Sequence, residues 1–290
     1  MAFEITKTFI DVFKSLCIIG GKDRLIKGDS YVLFKEDNIK ATCGNILCMY
    51  RPSNTTFPTS FAPSKSSLIS KLETGKYDVA VTPSGANTTF TGKNYKSSIP
   101  NIEFFEYNDQ NRSKSKVDFK VPDSSQFASL YNIKDDPTKI LSKFYIDKET
   151  IMDITKKQAD YNQGASANEQ YFKVFKCGDN LKFKVEHRDN HEMCIESNLA
   201  EGGVLNHNGE MKLDIPFITL YKDDYDLTVV VRDVCGVPSK MTILEAKNAN
   251  LIYLLFNSTD NIKKALSEGL SNDLTKFESD ESLGFEDDEL

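Results

Sequence analysis

The feature that most constrains this chain is that it repeats itself. Phe3-Glu4-Ile5-Thr6-Lys7 recurs as Phe144-Tyr145-Ile146-Asp147-Lys148, an offset of 141, and at that offset Ile10 and Phe13 fall on Ile151 and Ile154. Phe34-Lys35 falls on Phe175-Lys176, and Asp37-Asn38-Ile39-Lys40 matches Asp179-Asn180-Leu181-Lys182 one residue later. Tyr77-Asp78-Val79-Ala80-Val81 then matches Tyr225-Asp226-Leu227-Thr228-Val229 at offset 148. Matching blocks in one order, with slowly drifting offsets, read as duplication of a unit of about 110 residues.

Both units read alike. A short strand (3–6; 143–146) precedes an amphipathic helix. On residues 7–17, Phe9, Phe13 and Leu16 share one face and Lys7, Asp11 and Lys14 the other. In the second unit Ile151, Ile154, Gln158 and Tyr161 form the inner stripe, opposite Glu149, Asp153, Lys156 and Asp160. A hairpin follows, 31–43 and 171–186, turning at Glu36-Asp37-Asn38 and Cys177-Gly178-Asp179-Asn180, residues suited to tight turns. A shorter helix is expected at about 62–73 and again at about 214–222, with Pro63 and Pro216 near their starts. Strands at 77–82, 87–91 and 102–107, then 225–231, 239–246 and 249–256, close each unit. The order gives an α+β fold with helices on one face of an antiparallel sheet.

The expected organisation is a first domain over 1–108, a polar connector over 109–139 with a strand near 116–121, a second domain over 140–258, and a tail over 259–290. The tail carries ten acids and three lysines, so the whole net charge of −7 lies there, while residues 1–258 hold 33 acidic and 33 basic side chains. The low pI is therefore no argument against a nucleic-acid partner, because a neutral body can still be basic on one face. The acidic tail, poor in aliphatics from 271 on, is expected to be disordered. No apolar run reaches the ~18–20 residues of a membrane span. The opening residues are not a basic segment followed by an apolar one, so no signal peptide is expected. The six cysteines (17, 43, 48, 177, 194 and 235) form no Cys-x-x-Cys pair and read as reduced thiols.

No phosphate loop, nucleophile elbow, dinucleotide fingerprint or His-Glu-x-x-His stands in the sequence. His187, His191 and Cys194 have side chains that suit zinc, but Arg188-Asp189-Asn190 between them reads as a hairpin turn, and no second Cys pair completes a site. No cofactor, metal or catalytic residue is expected, which points to a binding protein rather than an enzyme. The lysines carry more information. Lys7 and Lys14 lie away from the core face of the first helix, and Lys148 repeats Lys7. Lys22 and Arg24 follow that helix, while Lys71, Lys156 and Lys157 lie on or near the others. In a duplicated α+β unit, this set suggests helices that face a polyanion.

On these blocks the chain resembles the sliding clamps of DNA replication, most closely those of tailed bacteriophages. The likeness runs over about 2–257 and includes the closing Ala249-Asn250-Leu251-Ile252-Tyr253-Leu254. The resemblance implies helices inside and antiparallel sheets outside, with three two-domain subunits closed in a ring around double-stranded DNA. It implies a processivity factor in DNA replication, without enzymatic activity of its own. The partners would be a DNA polymerase and a clamp loader, in the cytoplasm of an infected host cell, with no membrane involved. The DNA-facing residues would be Lys7, Lys14, Lys22, Arg24, Lys71, Lys148, Lys156 and Lys157. Partners of such clamps dock by a short peptide in which a Leu and an aromatic are separated by one residue. Leu283 and Phe285 of the tail have that spacing. A phage single-stranded DNA-binding protein with an acidic partner-binding tail is the alternative. The absence of Trp and the internal duplication count against it.

Overall fold

The computed structural model describes residues 3–256 except 5–6, 19–29, 44–45, 54–55, 58, 64–79, 93–94, 109, 112–115, 117–118, 162–170, 178–179, 187–191, 197–203, 206–209, 214, 216, 218–219 and 235–236. The first half runs β1 (Phe3–Glu4), α1 (Lys7–Ile18), β2 (Ser30–Phe34), β3 (Ile39–Cys43), β4 (Ile46–Tyr50), β5 (Ala80–Ser84), β6 (Asn87–Gly92) and β7 (Tyr95–Pro100). β8 (Phe105–Tyr107) ends the first half, and the connector holds β9 (Lys120–Pro122) and α2 (Ser124–Tyr131). The second half runs β10 (Ile140–Ile146), α3 (Lys148–Tyr161), β11 (Tyr171–Cys177), β12 (Asn180–Glu186), β13 (Glu192–Glu196), β14 (Val204–Leu205), β15 (Glu210–Leu213), β16 (Tyr225–Val234), β17 (Val237–Ala246) and β18 (Leu251–Phe256).

The helices form where the apolar spacing requires them. Phe9, Ile10, Val12, Phe13 and Leu16 of α1 are buried, as are Ile151 and Ile154 of α3. On α1, Phe9 and Phe13 stack at 5.7 Å, and Phe34 of β2 stacks on Phe61 at 4.7 Å. Each such side chain, taken fully out of water, contributes about 1.5–3 kcal/mol.

Strand order decides the architecture. One four-stranded sheet runs β1-β5-β6-β7 and another β13-β12-β11-β15. Between them an eight-stranded sheet runs β14-β10-β16-β17-β18-β4-β3-β2. The order β10-β16-β17-β18 in the second half matches β1-β5-β6-β7 in the first, and β13-β12-β11 matches β4-β3-β2. The halves are sewn together where β18 pairs antiparallel with β4, Leu251 opposite Tyr50 and Leu255 opposite Ile46. One difference from the sequence alignment lies in β5. Phe3 pairs with Val81 and Phe144 with Leu227, so Val81 corresponds in space to Leu227 rather than Val229. A slip of two residues keeps every side chain on its own face of the sheet.

The eight-stranded sheet is covered on both sides. Ile46, Cys48 and Tyr50 of β4 enter a core shared with α1 and α3. Leu47 and Met49 enter a second core with Phe119, Val121 and Phe127 of the connector. The connector is therefore a packed layer rather than a linker alone, and of the strand expected near 116–121 the structure forms β9 at Lys120–Pro122. Asp123 caps α2, its Oδ1 accepting from the Gln126 N–H at 2.8 Å, and Phe127 is the buried anchor. Beside α2, β8 and β9 pair in parallel. Glu106 of β8 is held by Lys35 at 2.7 Å and by Lys40 at 3.1 Å, and Lys40 also donates to the Pro122 carbonyl at 2.8 Å. The Lys40 side chain is fully buried, and that burial pushes its pKa down against the pull of Glu106.

The expected second helices fare differently. Ala62 and Pro63 are not helical, because Pro63 bridges to Asn101; residues 64–79, including Lys71, lie outside the described residues. In 214–222 the described residues form turns and bends. Ile215, Phe217 and Leu220 are all driven into the core. The freed backbone finds other partners: the Phe217 N–H reaches the Ile215 carbonyl at 2.9 Å, and the Phe217 carbonyl accepts from Lys222.

Candidate nucleic-acid interface

The two long helices turn narrow polar stripes away from the core. On α1 Lys7 and Asp11 are exposed and Lys14 is half-buried. On α3 Lys148, Met152 and Lys156 follow one another at helical spacing, all exposed, with Met152 at 52%. Lys157 belongs to α3, but its side chain lies outside the described ones. Lys22, Arg24 and Lys71, and the tail residues Leu283 and Phe285, also lie outside the described residues. Lys7 and Lys148 each open a helix. A cation there opposes the helix macrodipole, so helix stability does not explain either one. The start of α3 is secured by carboxylates instead: Asp147 Oδ1 accepts from Thr150 N at 2.6 Å and Asp224 Oδ1 from Lys148 N at 2.8 Å.

A loop of the second half bridges the two helices. Ser15 of α1 lies 3.1 Å from the Tyr253 hydroxyl, which also accepts from the Tyr221 N–H at 3.3 Å. Complete burial pushes the Tyr253 hydroxyl pKa well up. The Tyr221 hydroxyl is raised by burial, with further contributions from Asp223 and from Asp11 of α1. One residue on, Lys222 Nζ donates to Thr155 Oγ1 of α3 at 3.0 Å and to the Phe217 carbonyl. Burial pushes Lys222 down to about 8. The Asp223 carboxylate is turned away, accepting from Asn248 Nδ2 at 2.6 Å and from the Ala249 N–H at 2.9 Å. Sequence reasoning did not single out Lys222, since its surroundings come from residues far off in the chain.

Among the strands that end a sheet within the described residues are β7 and β13, the counterparts of β18 and β4 by strand order. β7 is the last strand of its sheet and pairs only with β6, and β13 pairs only with β12. Because the Asn101 N–H bonds the Ala86 carbonyl at 2.8 Å, antiparallel alternation points the backbone of Lys96, Ser98 and Pro100 away from β6. Pro100 thus stands where a missing N–H costs the ladder nothing. Elsewhere, among the described residues, no three His, Cys, Asp or Glu side chains gather to hold a metal, and no helix is long and apolar enough to cross a membrane.

No family model matches the sequence, and no curated protein does. Solved structures do match it. A DNA polymerase sliding clamp from Bacillus subtilis superposes with a TM-score of 0.53 at 9% identity, over 89% of this chain. The chain has the sliding-clamp fold. A Helicobacter pylori beta clamp bound to a DNA ligase peptide gives 0.54 at 12% identity over 88% of the chain. A chain of the PCNA2–PCNA3 complex of Sulfolobus tokodaii gives 0.54 at 10% over 90%. This clamp-like chain spans 64–65% of the length of the two bacterial chains and covers all of the archaeal one.

Proposed function

We propose that the chain is a ring-forming DNA sliding clamp, a processivity factor that encircles duplex DNA and tethers a replicative polymerase. The observation that carries this reading is the seam between the halves. β18 and β4 complete one continuous sheet within the chain, while their counterparts by strand order, β7 and β13, are edges without a second partner among the described residues. Pairing β7 of one copy with β13 of the next repeats the internal seam between chains and removes both edges. With two duplicated domains per chain (1–108 and 140–258, joined by 109–139), three copies close the ring. α1 and α3 then line the channel, with Lys7, Lys14, Lys148, Lys156 and Lys157, and with Lys22, Arg24 and Lys71 from the intervening segments.

The chemistry suits sliding. Each tight lysine–phosphate contact adds affinity and salt dependence, so a few cations on a neutral body hold DNA without fixing it. The ring itself does no chemistry; a clamp loader opens it and a polymerase rides on it, in the cytoplasm of a phage-infected host. A beta clamp of the same fold takes up a ligase peptide, and partners of this chain dock by peptides in the same manner. The tail, 259–290, offers Leu283 and Phe285 as such a peptide in cis. The test is native mass spectrometry together with primer extension on a long single-stranded template. A species of three 32.7 kDa chains and longer products with the cognate polymerase and loader are expected. A monomer at micromolar concentration refutes the ring.

A further inference from the structure

We propose that the Lys222 ammonium is a further phosphate-binding group of the channel, seated between α1 and α3, whose charge is balanced by DNA rather than by a carboxylate among the described residues. The inference rests on the clamp reading and names a contact that reading does not supply.

The position is fixed from both sides. Tyr221 is tied to α1 through the Tyr253 hydroxyl and Ser15. Lys222 is tied to α3 through Thr155, whose own hydroxyl bonds the Ile151 carbonyl at 2.7 Å. Thr155 lies seven residues from Lys148, and at 3.6 residues per turn that is nearly two turns along the same side of α3. The amine therefore flanks the exposed stripe that carries Lys148, Met152 and Lys156.

Its partners set it apart from other lysines with described contacts. Lys35 and Lys40 are paired with Glu106, Lys134 with Glu245 at 2.6 Å, and Lys247 with Asp226 at 3.1 Å. Lys222 has two neutral acceptors, a hydroxyl and a carbonyl, and a lysine ammonium has three protons to donate. Of the charged groups on the two flanking helices, Lys148 and Lys156 on α3 and Lys14 on α1 share its sign. Glu149 and Asp153 lie on α3, and Asp11 acts on Tyr221. Asp223 is committed to Asn248 and Ala249, and Asp224 to Lys148 N. Burial pushes the amine down, and no acid among the described residues is paired with it. A half-buried cation left in this state is costly to the fold, and an incoming phosphate supplies the missing counter-charge.

Proton uptake follows. In the free protein the charge is lost as pH rises through about 8. A phosphate oxygen favours the charged form and moves the value up again. Between pH 7 and pH 9, one unit either side of the free value, affinity falls about tenfold for each Lys222 engaged.

The experiment measures anisotropy of a short fluorescent duplex with the full-length protein at low salt, at both pH values. The wild type is compared with Lys222→Gln, Lys222→Arg and the double variant Lys7→Gln/Lys148→Gln. Lys222→Gln should bind at pH 7 as weakly as the wild type at pH 9, with a flattened pH dependence. Lys222→Arg should keep the pH 7 affinity and lose the fall at pH 9, which a merely structural lysine would not produce. Wild-type binding and pH profile in Lys222→Gln overturns the inference. If the Lys7/Lys148 variant is weakened in that case, the channel reading survives without Lys222; if it too binds like wild type, both fall.

Discussion

Changing Ser98 to Pro should take the ring apart and leave the subunit folded. Ser98 is exposed in β7, opposite Thr89, and its N–H points away from β6. Proline there removes no bond of the existing sheet. Its cost to the subunit is the drift of φ from an extended value towards −65° and a stiffer neighbour, on the order of 1 kcal/mol. In the proposed ring the same N–H would face β13 of the next copy. Its loss removes one ladder bond, strands a carbonyl at about 1–3 kcal/mol, and sets a pyrrolidine ring against the incoming strand. Each interface should therefore weaken by about 10- to 100-fold or more, and a closed ring contains three of them. Sedimentation velocity across a concentration series reads the assembly, and urea unfolding of the same samples reads the fold. Ser97→Pro is the counter-case, because its N–H belongs to the β6–β7 ladder and its loss should unfold that edge. A Ser98→Pro protein that remains a trimer at low micromolar concentration refutes β7 as the joining edge.

Neutralising Lys7 and Lys148 should weaken retention on circular DNA and lower the salt slope by about 0.9 for each phosphate no longer neutralised. The exposed, ion-paired Lys247 is the proper control and should show neither effect; Lys240 is buried and unsuited to that role. Deleting 279–290, or changing Leu283 and Phe285 to Ala, should tighten binding of a polymerase C-terminal peptide, measured by calorimetry. A random-coil stretch of about 25 residues, at ~5–6 Å times the square root of their number, would span roughly 25–30 Å, and a tail of that kind would compete at an effective concentration on the order of millimolar. Unchanged affinity in both variants leaves the tail a solubility role only. Lys222 also predicts a pH effect on stability. The unfolded chain keeps its lysine protons to about 10.4 and the folded one releases this proton at about 8, so unfolding free energy rises with pH across that window. In denaturation at pH 7.5 and pH 9.5, Lys222→Met should lose that rise.

What was legible in the sequence followed from local periodicity. The stripes Phe9–Phe13–Leu16 and Ile151–Ile154 face the core as their spacing requires, and Lys7, Asp11, Lys148 and Lys156 are exposed for the same reason. The hairpins 31–43 and 171–186 form, their strands paired antiparallel, and the first turns at Glu36-Asp37-Asn38; residues 178–179 of the second turn lie outside the described residues. What was missed depends on distant partners. Ile46-Leu47-Cys48-Met49-Tyr50 alternates between two cores, and a run that is apolar throughout has no period to read. β7, with its Lys, Ser and Pro, lacks the hydrophobic signal because only Ile99 among residues 96–100 is buried. α2 was readable in principle: Asp123 before Ser124-Ser125-Gln126, with Phe127, Leu130 and Tyr131 at helical spacing, is a cap and a stripe. The polar residues around it masked both. The stretch 214–222 failed the other way, since a proline followed by apolar residues was read as a helix start when those residues are core plugs.

The seam between β4 and β18 also sets a schedule for synthesis. Residues 46–50 meet residues 251–256, so roughly 200 residues must leave the ribosome before the middle of the largest sheet can close, about 10–40 s at ~5–20 residues per second. Throughout that interval β4 presents an open, wholly apolar strand edge, the kind of surface that pairs with whatever strand comes near. The nascent chain is most vulnerable to the same kind of contact, strand edge against strand edge, on which the proposed ring would depend. A holdase bound during elongation, or slow dilution during refolding, should therefore raise the yield of this chain more than that of a protein whose sheets close locally.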